Sequence, residues 1–413
     1  MKRKSKRKIR NRRRFLILII IIIVIFVMFK KDKTKENNNT EITKSYVNNI
    51  INNSDEVVKS EWEKLIISYL DLYTASLEEL KSRDVTKLFT ESKGVEAFLT
   101  QTTIDTQVYH HSKQLNDMRL KKAYYDIEYR DVSVKNNKIT IRFLEDDYYQ
   151  FKYLDDITSR LIDIENTIVI NDNNGNYTID SLRVLRDNYV IFTNVIEGKI
   201  TKEKIVKLNE KYLKYIDEEA SKNKDLFNYA SKNKYVSSKE CSHEYDRDTA
   251  VNYSYKYVDN RNDNYLDYSS LGGNCANYAS QSIFEGGIPM DYEGSYQWKY
   301  FSDELNDDNT ERGRSSSWVS TYYFYDYAKN NDGFGMCAEV DVNIFYAQIG
   351  DVIHVGYKNN SYSHTTLVSK IIKKDNKTID ILVNSNTTGL KDYPIFGYIY
   401  QNKRLIKILG YND

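Results

Sequence analysis

The spacing of apolar positions changes along the chain from a helical period to a strand period. Apolar side chains within 58–72 recur three and four residues apart, which predicts an amphipathic helix with one buried stripe. A similar pattern predicts a second helix at about 84–100. Apolar and polar residues then alternate over 125–129 and 139–143, which predicts two strands of a hairpin that turns at Asn136-Asn137.

Further strands are predicted at 165–170, 176–183 and 188–193. Helices followed by a run of antiparallel strands indicate an α+β accessory module, which we place at residues 56–200. This order of elements resembles the small cone-shaped, nuclear-transport-factor-like (cystatin-like) modules that are often appended to exported bacterial proteins. The carboxylates at 145–147 are expected in a turn rather than in a catalytic pair.

The N-terminal residues have the pattern of a membrane anchor. Residues 1–14 contain ten Lys or Arg and no acidic residue, and an unbroken apolar run of 15 residues follows at 15–29. Basic residues before an apolar run predict a cytoplasmic N-terminus and an exported remainder. No small-x-small cleavage triplet follows, so a transmembrane signal anchor at 15–30 is favoured over a cleaved signal peptide. We expect a single-pass protein of the cell membrane whose remaining domains are extracellular, beyond a polar spacer at 31–55.

Composition narrows the functional classes. Subtracting the ten N-terminal cations from the net charge of +1 leaves −9 for the rest of the chain, which argues against a nucleic-acid-binding protein. The 37 Tyr and 15 Phe argue against long disorder. No phosphate loop, dinucleotide fingerprint, His-Glu-x-x-His or paired Cys-x-x-Cys is present, so neither a cofactor nor a metal is predicted.

The C-terminal region contains a candidate nucleophile. Residues 201–242 are charged and helix-prone and predict a connector, and a region rich in Tyr, Asn, Ser and Gly follows at 243–413. Within it, Gly272-Gly273 precede Cys275, and a predicted helix ends at Gly286-Gly287. A cysteine in the first turn of a helix lies where the helix dipole stabilises a thiolate. The alternative is a structural cysteine packed under the helix.

A thiol nucleophile needs a base. His364 opens a predicted strand and is our candidate, because 110–111 belong to the accessory module. His354 is expected to be a buried structural histidine, and His243 is expected at the surface.

The base in turn needs an orienting group. The strand at 379–387 pairs back on His364 through a turn near Asp375-Asn376. A three-residue loop places Asn386 opposite His364, whereas a two-residue loop places Thr387 there. We therefore predict Asn386 as the third catalytic residue, with Asn384 as the second choice. Cys, His and Asn in this order is the arrangement of papain-like enzymes.

Two further residues are candidates for contacts with the substrate. The Asn274 side chain is a candidate donor to the oxyanion, together with the N–H of Cys275 and of one neighbour. Trp318, with Trp298 and the aromatic run 322–325, either lines a substrate groove or belongs to the core.

Several short motifs combine in one region of the chain. They are Tyr245-Asp246-Arg247-Asp248-Thr249-Ala250-Val251, Gly272-Gly273-Asn274-Cys275-Ala276-Asn277-Tyr278-Ala279-Ser280-Gln281, Gly286-Gly287-Ile288-Pro289-Met290, Ser317-Trp318-Val319, Gly350-Asp351-Val352-Ile353 and Ser363-His364-Thr365. Residues 243–413 thereby resemble the bacterial putative amidase domain family, which is similar to papain-like cell-wall amidases and peptidases, including CHAP-type domains. The resemblance implies a papain-like fold, with a Cys-bearing helix packed on an antiparallel sheet, and a Cys275–His364 pair that acts on an amide bond. This chain departs from the family at two positions. The family commonly has Asp before the cysteine, where this chain has Asn274, and His as the third residue, where this chain has Asn386.

The expected function follows from the anchor and the site together. We expect a membrane-anchored, extracytoplasmic cysteine amidase or peptidase, with cell-wall peptide as its substrate. The alternative is a catalytically inactive surface-binding or assembly protein on a papain-like scaffold. Three cysteines leave at least one thiol free or paired between chains, and the pairing of Cys241 with Cys337 stays open.

Overall fold

The computed structural model describes residues 42–45, 50–52, 60–111, 115–185, 201–356, 361–387, 389–398 and 402–413. The predicted basic segment, the signal anchor at 15–30 and the predicted strand at 188–193 lie outside these residues. None of the helices that the structure describes is both long enough and apolar enough to cross a membrane.

The described elements alternate between helical and stranded regions. The helices are α1 (Glu61–Glu79), α2 (Ser92–His111), α3 (Lys202–Ala230), α4 (Arg247–Tyr257), α5 (Cys275–Glu285), α6 (Ser316–Val319) and α7 (Thr321–Asn330). The strands are β1 (Ile42–Ser45), β2 (Ile50–Asn52), β3 (Leu120–Lys135), β4 (Lys138–Phe151), β5 (Ser159–Asn173), β6 (Asn176–Leu185), β7 (Gly335–Val342), β8 (Val352–Gly356), β9 (His364–Lys374), β10 (Lys377–Ser385), β11 (Gly389–Pro394) and β12 (Asn402–Asn412). The mixed α+β class is therefore confirmed.

In the described residues before 186, helices and strands occur in the predicted order, but the helix predicted at 84–100 is displaced to Ser92–His111 and Phe89 instead forms a bridge to Ile179. The predicted hairpin is present as β3 and β4, and its two-residue turn includes Asn136 at φ +55°. The expectation of a turn at 145–147 is wrong. Glu145 and Asp147 lie buried within β4, because the alternation of that strand continues through them. Asn166 donates to Glu145 and Tyr149 donates to Asp147, so each of these carboxylates accepts a hydrogen bond inside the sheet.

A single sheet contains all twelve described strands. Its main path runs β1-β3-β4-β5-β11-β10-β9-β8-β12-β7, while β2 pairs with β3 and β6 with β5. The strands of the predicted accessory module and of the C-terminal region meet where Gly389–Lys391 of β11 pair antiparallel with 160–162 of β5. This pairing joins the edge strands of the two regions. The domain boundaries at residues 200 and 242 stay predictions.

The C-terminal part of the sheet is covered on both faces. Val368 on β9 packs into a core shared with α1, α2 and β3–β6, whereas its neighbour Leu367 packs into a second core under α5 and α7. Ile353 and Val352 on β8 divide between the same two cores. Because side chains alternate between the faces of a strand, burial on both faces fixes the register of β9 and therefore the position of the residue that opens it.

A buried carboxylate links the two regions. Asp380 on β10 is fully buried and accepts hydrogen bonds from Asn116 Nδ2 at 3.0 Å and from Tyr153 Oη at 2.5 Å. Burial raises the pKa of Asp380 to about 7, although these hydrogen bonds and the N–H groups of Ile381 and Phe396 lower it.

We expect this carboxyl to make the protein less stable as the pH rises. Its pKa is higher in the folded state than in the unfolded state, so the folded state binds more protons between about pH 4 and about pH 7. The free energy of unfolding should therefore fall by on the order of 2 kcal/mol from pH 5 to pH 7. Urea unfolding of the wild type and of Asp380→Asn at several pH values measures this. A difference between the two proteins that stays constant with pH contradicts the prediction.

Candidate active site

The loop before α5 places Cys275 at the first residue of the helix. Gly272 and Gly273 have φ values of +118° and +127°, in the left-handed region that glycine adopts without strain. The N–H of Asn274 donates to Thr387 Oγ1, which attaches the loop to the chain that follows β10. Cys275 is only 7% exposed. Its thiol lies at the N-terminal end of α5, where the backbone N–H groups have no partner within the helix.

His364 lies beside this thiol. It is the first residue of β9 and is 6% exposed. Burial raises the pKa of the Cys275 thiol. The charge of His364, its hydrogen bond to the thiol and the N–H groups of Thr365 and Ala276 lower the pKa by more than burial raises it, so the net shift is downward. A buried thiol whose pKa is lowered has a partner that stabilises its thiolate. The structure thus brings together the two residues predicted as nucleophile and base.

The other side of the imidazole contacts Ser385. The distance from His364 Nε2 to Ser385 Oγ is 2.8 Å. The Ser385 hydroxyl donates to the carbonyl oxygen of Thr365 over 3.1 Å. With its one hydrogen directed at Thr365, the Ser385 hydroxyl accepts from His364, and in this arrangement the proton of the neutral imidazole is on Nε2. This leaves Nδ1 as the ring nitrogen available to the thiol.

Asn386, the predicted third residue, is placed elsewhere. Its Oδ1 accepts from Asn274 Nδ2 at 3.0 Å and its Nδ2 donates to the carbonyl of Tyr257 at 3.1 Å. Asn384, the second choice, donates to Ser254 Oγ and accepts from the N–H of Asp392. Both ends of each amide are thus engaged by partners other than the imidazole, and the orienting role of Asn386 or Asn384 stays a prediction.

The register of β9 and β10 explains this difference. The hairpin turns through two residues, Asp375-Asn376, and two register shifts along it cancel. That register puts position 387 opposite His364, but β10 ends at Ser385 before reaching it. Ser385 is the diagonal neighbour of His364 on the same face of the pair, within reach of a ring. The two-residue turn, with positive φ at Asp375 and at Asn376, is the alternative that the sequence analysis connected with Thr387, and Ser385 lies on the same face as that position.

The two candidate substrate contacts are occupied within the protein. Asn274 Oδ1 accepts from the N–H of Tyr268 and from Asn277 Nδ2, so its amide holds the loop together from both ends. Trp318 is fully buried and donates from Nε1 to Asn277 Oδ1 at 2.9 Å. Its indole therefore belongs to the core, which is one of the two alternatives that the sequence left open. Through its hydrogen bond to Asn277 it also holds the first turn of α5.

Two of the remaining histidines fit their expected roles. His354 on β8 is fully buried, and burial lowers its pKa well below the usual value, with smaller contributions from Arg404 and His364. His243 is partly exposed, stacks on Tyr411 and lies 3.0 Å from a carboxylate oxygen of Asp413. Within the described residues, no cluster of His, Cys, Asp or Glu has the geometry of a metal site.

The cysteine pairing that the sequence left open is settled. Cys241 and Cys337 form a disulfide, which joins the segment before α4 to β7 across a separation of 96 residues. Cys275 is the free cysteine. The one thiol available for chemistry is therefore the one that contacts an imidazole.

The family of this region follows from its sequence as a whole. Residues 244–409 match the family model described as "Putative amidase domain". We refer to residues 244–409 as the amidase domain after this match. The match confirms the expected resemblance, covers about two fifths of the chain, and includes Cys275, His364 and Ser385. An amidase domain implies a hydrolase that acts on amides. No match to the chain was found among curated proteins or among solved structures.

Proposed function

We propose that the amidase domain hydrolyses amide bonds through a thioester on Cys275. The observation that carries this proposal is the contact between the imidazole of His364 and the free, buried thiol of Cys275 at the first residue of α5, a contact that lowers the pKa of the thiol against the opposing effect of burial. An inert structural cysteine in the same buried position has no such partner, and its pKa is raised. The arrangement of a Cys-bearing helix on an antiparallel sheet supports the papain-like fold that the sequence predicted.

The first half of the reaction cleaves the amide. His364 Nδ1 takes the proton of Cys275, and the thiolate attacks the carbonyl carbon of the substrate. The N–H groups at the start of α5, including that of Ala276, face the thiol. They stabilise the negative charge that develops on the carbonyl oxygen of the substrate by donating hydrogen bonds to it. The C–N bond then breaks as His364 returns the proton to the leaving amine, and a thioester remains.

The second half restores the enzyme. His364 Nδ1 takes a proton from water, and the resulting hydroxide equivalent attacks the thioester carbonyl. The C–S bond breaks, the acyl group leaves as a carboxylic acid, and Cys275 regains its proton from His364. Throughout both halves of the reaction, the hydrogen bond between Nε2 and Ser385 keeps the Nδ1 edge of the imidazole directed at the sulfur.

We further propose that the substrate lies outside the cytoplasm and is a peptide of the cell wall. Two independent features support an extracytoplasmic location. The basic and apolar pattern of residues 1–30 is typical of a signal anchor. A disulfide between Cys241 and Cys337 persists in oxidising compartments and is rare in the cytosol. The accessory module at 56–200 and the connector at 201–242 would then stand between the membrane and the amidase domain.

The direct test is to incubate the purified full-length protein with cell-wall peptide fragments and to follow the release of amines by mass spectrometry. Each cleaved amide adds one water to the summed mass of the products. We expect cleavage by the wild type and none by Cys275→Ala. Intact fragments together with an unreactive Cys275 thiol would contradict the proposal and favour the inactive binding protein.

We predict that Ser385 positions the imidazole. Ser385→Ala leaves the Nε2 proton of His364 buried without its acceptor, which costs about 1–3 kcal/mol. The expected result is a fall in kcat of about 10- to 100-fold with little change in KM. Alkylation of Cys275 should also shift to higher pH, which a merely structural role would not cause.

Ser385→Thr is the matched variant, because it keeps the hydroxyl at the same position. Its kcat and its alkylation profile should stay close to those of the wild type. Ser385→Ala with an unchanged alkylation profile, whatever its stability, contradicts the positioning role.

A further inference from the structure

One short segment of chain binds both the base and the residue that precedes the nucleophile. Ser385, the last residue of β10, accepts from His364 Nε2 at 2.8 Å. Two residues later, the hydroxyl of Thr387 accepts from the backbone N–H of Asn274. Between them, Asn386 Oδ1 accepts from the side chain of the same Asn274 at 3.0 Å. The backbone and the side chain of Asn274 are thus both bonded to the segment that holds the imidazole.

Thr387 has a backbone conformation that is unusual for its residue type. Its φ is +70°, in the left-handed region, where a β-branched side chain is crowded by the neighbouring peptide groups. Ten of the described non-Gly residues have a positive φ; eight of them are Asp or Asn, and Thr387 is the only β-branched one. Such a conformation persists only where its surroundings fix it, and it occurs most often at functional sites. The conformation of Thr387 therefore indicates a role for its side chain.

The loop that Thr387 holds has little rigidity of its own. Gly272 and Gly273 have φ values of +118° and +127°, and glycine restricts the backbone less than any other residue. A Cβ at Gly273 would lie 3.9 Å from Thr387 Oγ1, so the threonine side chain lies directly beside the glycine pair. Its hydroxyl binds the next N–H along the chain, that of Asn274, and Cys275 follows directly. This contact therefore helps to determine where the thiol and the first N–H groups of α5 lie.

The register of the sheet brings Thr387 close to the base as well. Continuing the pairing of β9 with β10 beyond Asn384 and Leu367 sets position 387 opposite His364. Thr387 therefore links the strand that begins with the base to the helix that begins with the nucleophile. A displacement of about 1 Å between reacting groups can lower a rate about 100-fold, so a link at this point affects the reaction itself.

We propose that Thr387 is a positioning residue, whose hydroxyl holds the backbone before Cys275 at the place where the thiol contacts His364. Ser385 holds the imidazole from the same segment, so residues 385–387 fix both sides of that contact. The inference rests on the proposed hydrolysis for its effect on kcat, and on the contact between Thr387 and Asn274 alone for its effect on the thiol.

The test compares three variants of the full-length protein. Thr387→Val keeps the shape of the side chain without its hydroxyl, and we expect kcat on cell-wall peptide fragments to fall about 10- to 100-fold with little change in KM. The rate of Cys275 alkylation by iodoacetamide should also shift to higher pH, because the thiol then contacts the imidazole less closely. Thr387→Gly also lacks the hydroxyl but suits the left-handed backbone, so it should show the same losses without added strain. Thr387→Ser keeps the hydroxyl and should restore both properties.

Thr74→Val is the matched control. Thr74 is buried in α1, and its hydroxyl donates to the carbonyl of Leu70 at 2.9 Å, so its loss removes a buried hydroxyl far along the chain from the site. This variant should keep the kcat and the alkylation profile of the wild type.

Wild-type behaviour of both Thr387→Val and Thr387→Gly overturns the proposal while the proposed hydrolysis stands. A lower kcat with an unchanged alkylation profile also overturns it, as does a Thr387→Ser variant as impaired as Thr387→Val. An alkylation profile that shifts in Thr387→Val, when the wild type cleaves no amide, would instead contradict the proposed hydrolysis and leave the positioning role standing.

Discussion

Replacing Cys275 by alanine or serine should abolish amide hydrolysis, and His364→Ala should lower kcat by about 10⁴-fold or more. Cys275→Ser is informative because it preserves the volume and the hydrogen bonding of the side chain but replaces a thiol by a hydroxyl of much higher pKa. Without His364, the thiol loses the largest influence that lowers its pKa, and the leaving amine loses its proton donor. The measurement is kcat on the cell-wall fragment that the wild type cleaves fastest.

His243→Ala is the control for this prediction. His243 is partly exposed, stacks on Tyr411 and lies away from the thiol, so its removal should leave kcat unchanged. Hydrolysis that persists in purified Cys275→Ala at a rate near that of the wild type would exclude the thioester route.

Arg247→Met should destabilise the protein by about 3–5 kcal/mol, because it removes a cation from a buried carboxylate. Asp351 is fully buried, and Arg247 Nη1 lies 2.7 Å from its Oδ1. The same guanidinium donates to the carbonyl of Ile349 at 2.8 Å and to that of Ile408, so it also joins the loop before β8 to β12. Lys407, at 3.5 Å, is the only other cation paired with Asp351 among the described residues.

Urea unfolding measures this loss, and two variants check its cause. Arg247→Met with Asp351→Asn removes both charges and should recover part of the stability. Arg130→Met removes an exposed guanidinium 3.0 Å from Glu128 and should change the free energy of unfolding by less than about 1 kcal/mol. A loss in Arg247→Met no larger than that of Arg130→Met contradicts the prediction.

The Arg247–Asp351 pair also explains why two of the family motifs occur together. Tyr245 Oη donates to the carbonyl of Gly350 at 3.2 Å, next to the ion pair. A Cβ at Gly286 would lie 2.3 Å from the Tyr245 ring, which accounts for glycine after α5. The motifs around Tyr245, Gly286 and Gly350 are therefore parts of one packing arrangement that holds α4, α5 and β8 together. Sequence pattern identified them, but not that their role is structural.

The sequence predicted those parts of the site that depend on local structure. A glycine pair, a cysteine and a helical pattern determine that Cys275 begins a helix, and a strand pattern determines that His364 opens a strand. The third residue depended instead on loop length and on two register shifts within one hairpin. A change of one residue in that count replaces Asn386 by position 387 opposite His364 and brings Ser385 onto the same face as the imidazole. Periodicity carries no information about where a register shifts.

Contacts between distant segments were beyond the sequence for the same reason. The pairing of β5 with β11 and the stacking of Arg404 between Tyr325 and Tyr362 join positions far apart in the chain. No local pattern marks either. The burial of Trp318 was one of two possibilities at the level of sequence, because an aromatic residue serves equally well in a core and in a groove.

The most direct test of the account is the rate of Cys275 alkylation by iodoacetamide as a function of pH, in the full-length protein and in His364→Ala. With Cys241 and Cys337 in a disulfide, Cys275 is the thiol that reacts. We expect the wild type to react well below the pH at which an ordinary thiol ionises, about 8.5, and His364→Ala to shift the reaction to higher pH. A wild-type profile centred near or above pH 8.5 and unchanged in His364→Ala would contradict the activated Cys275–His364 pair.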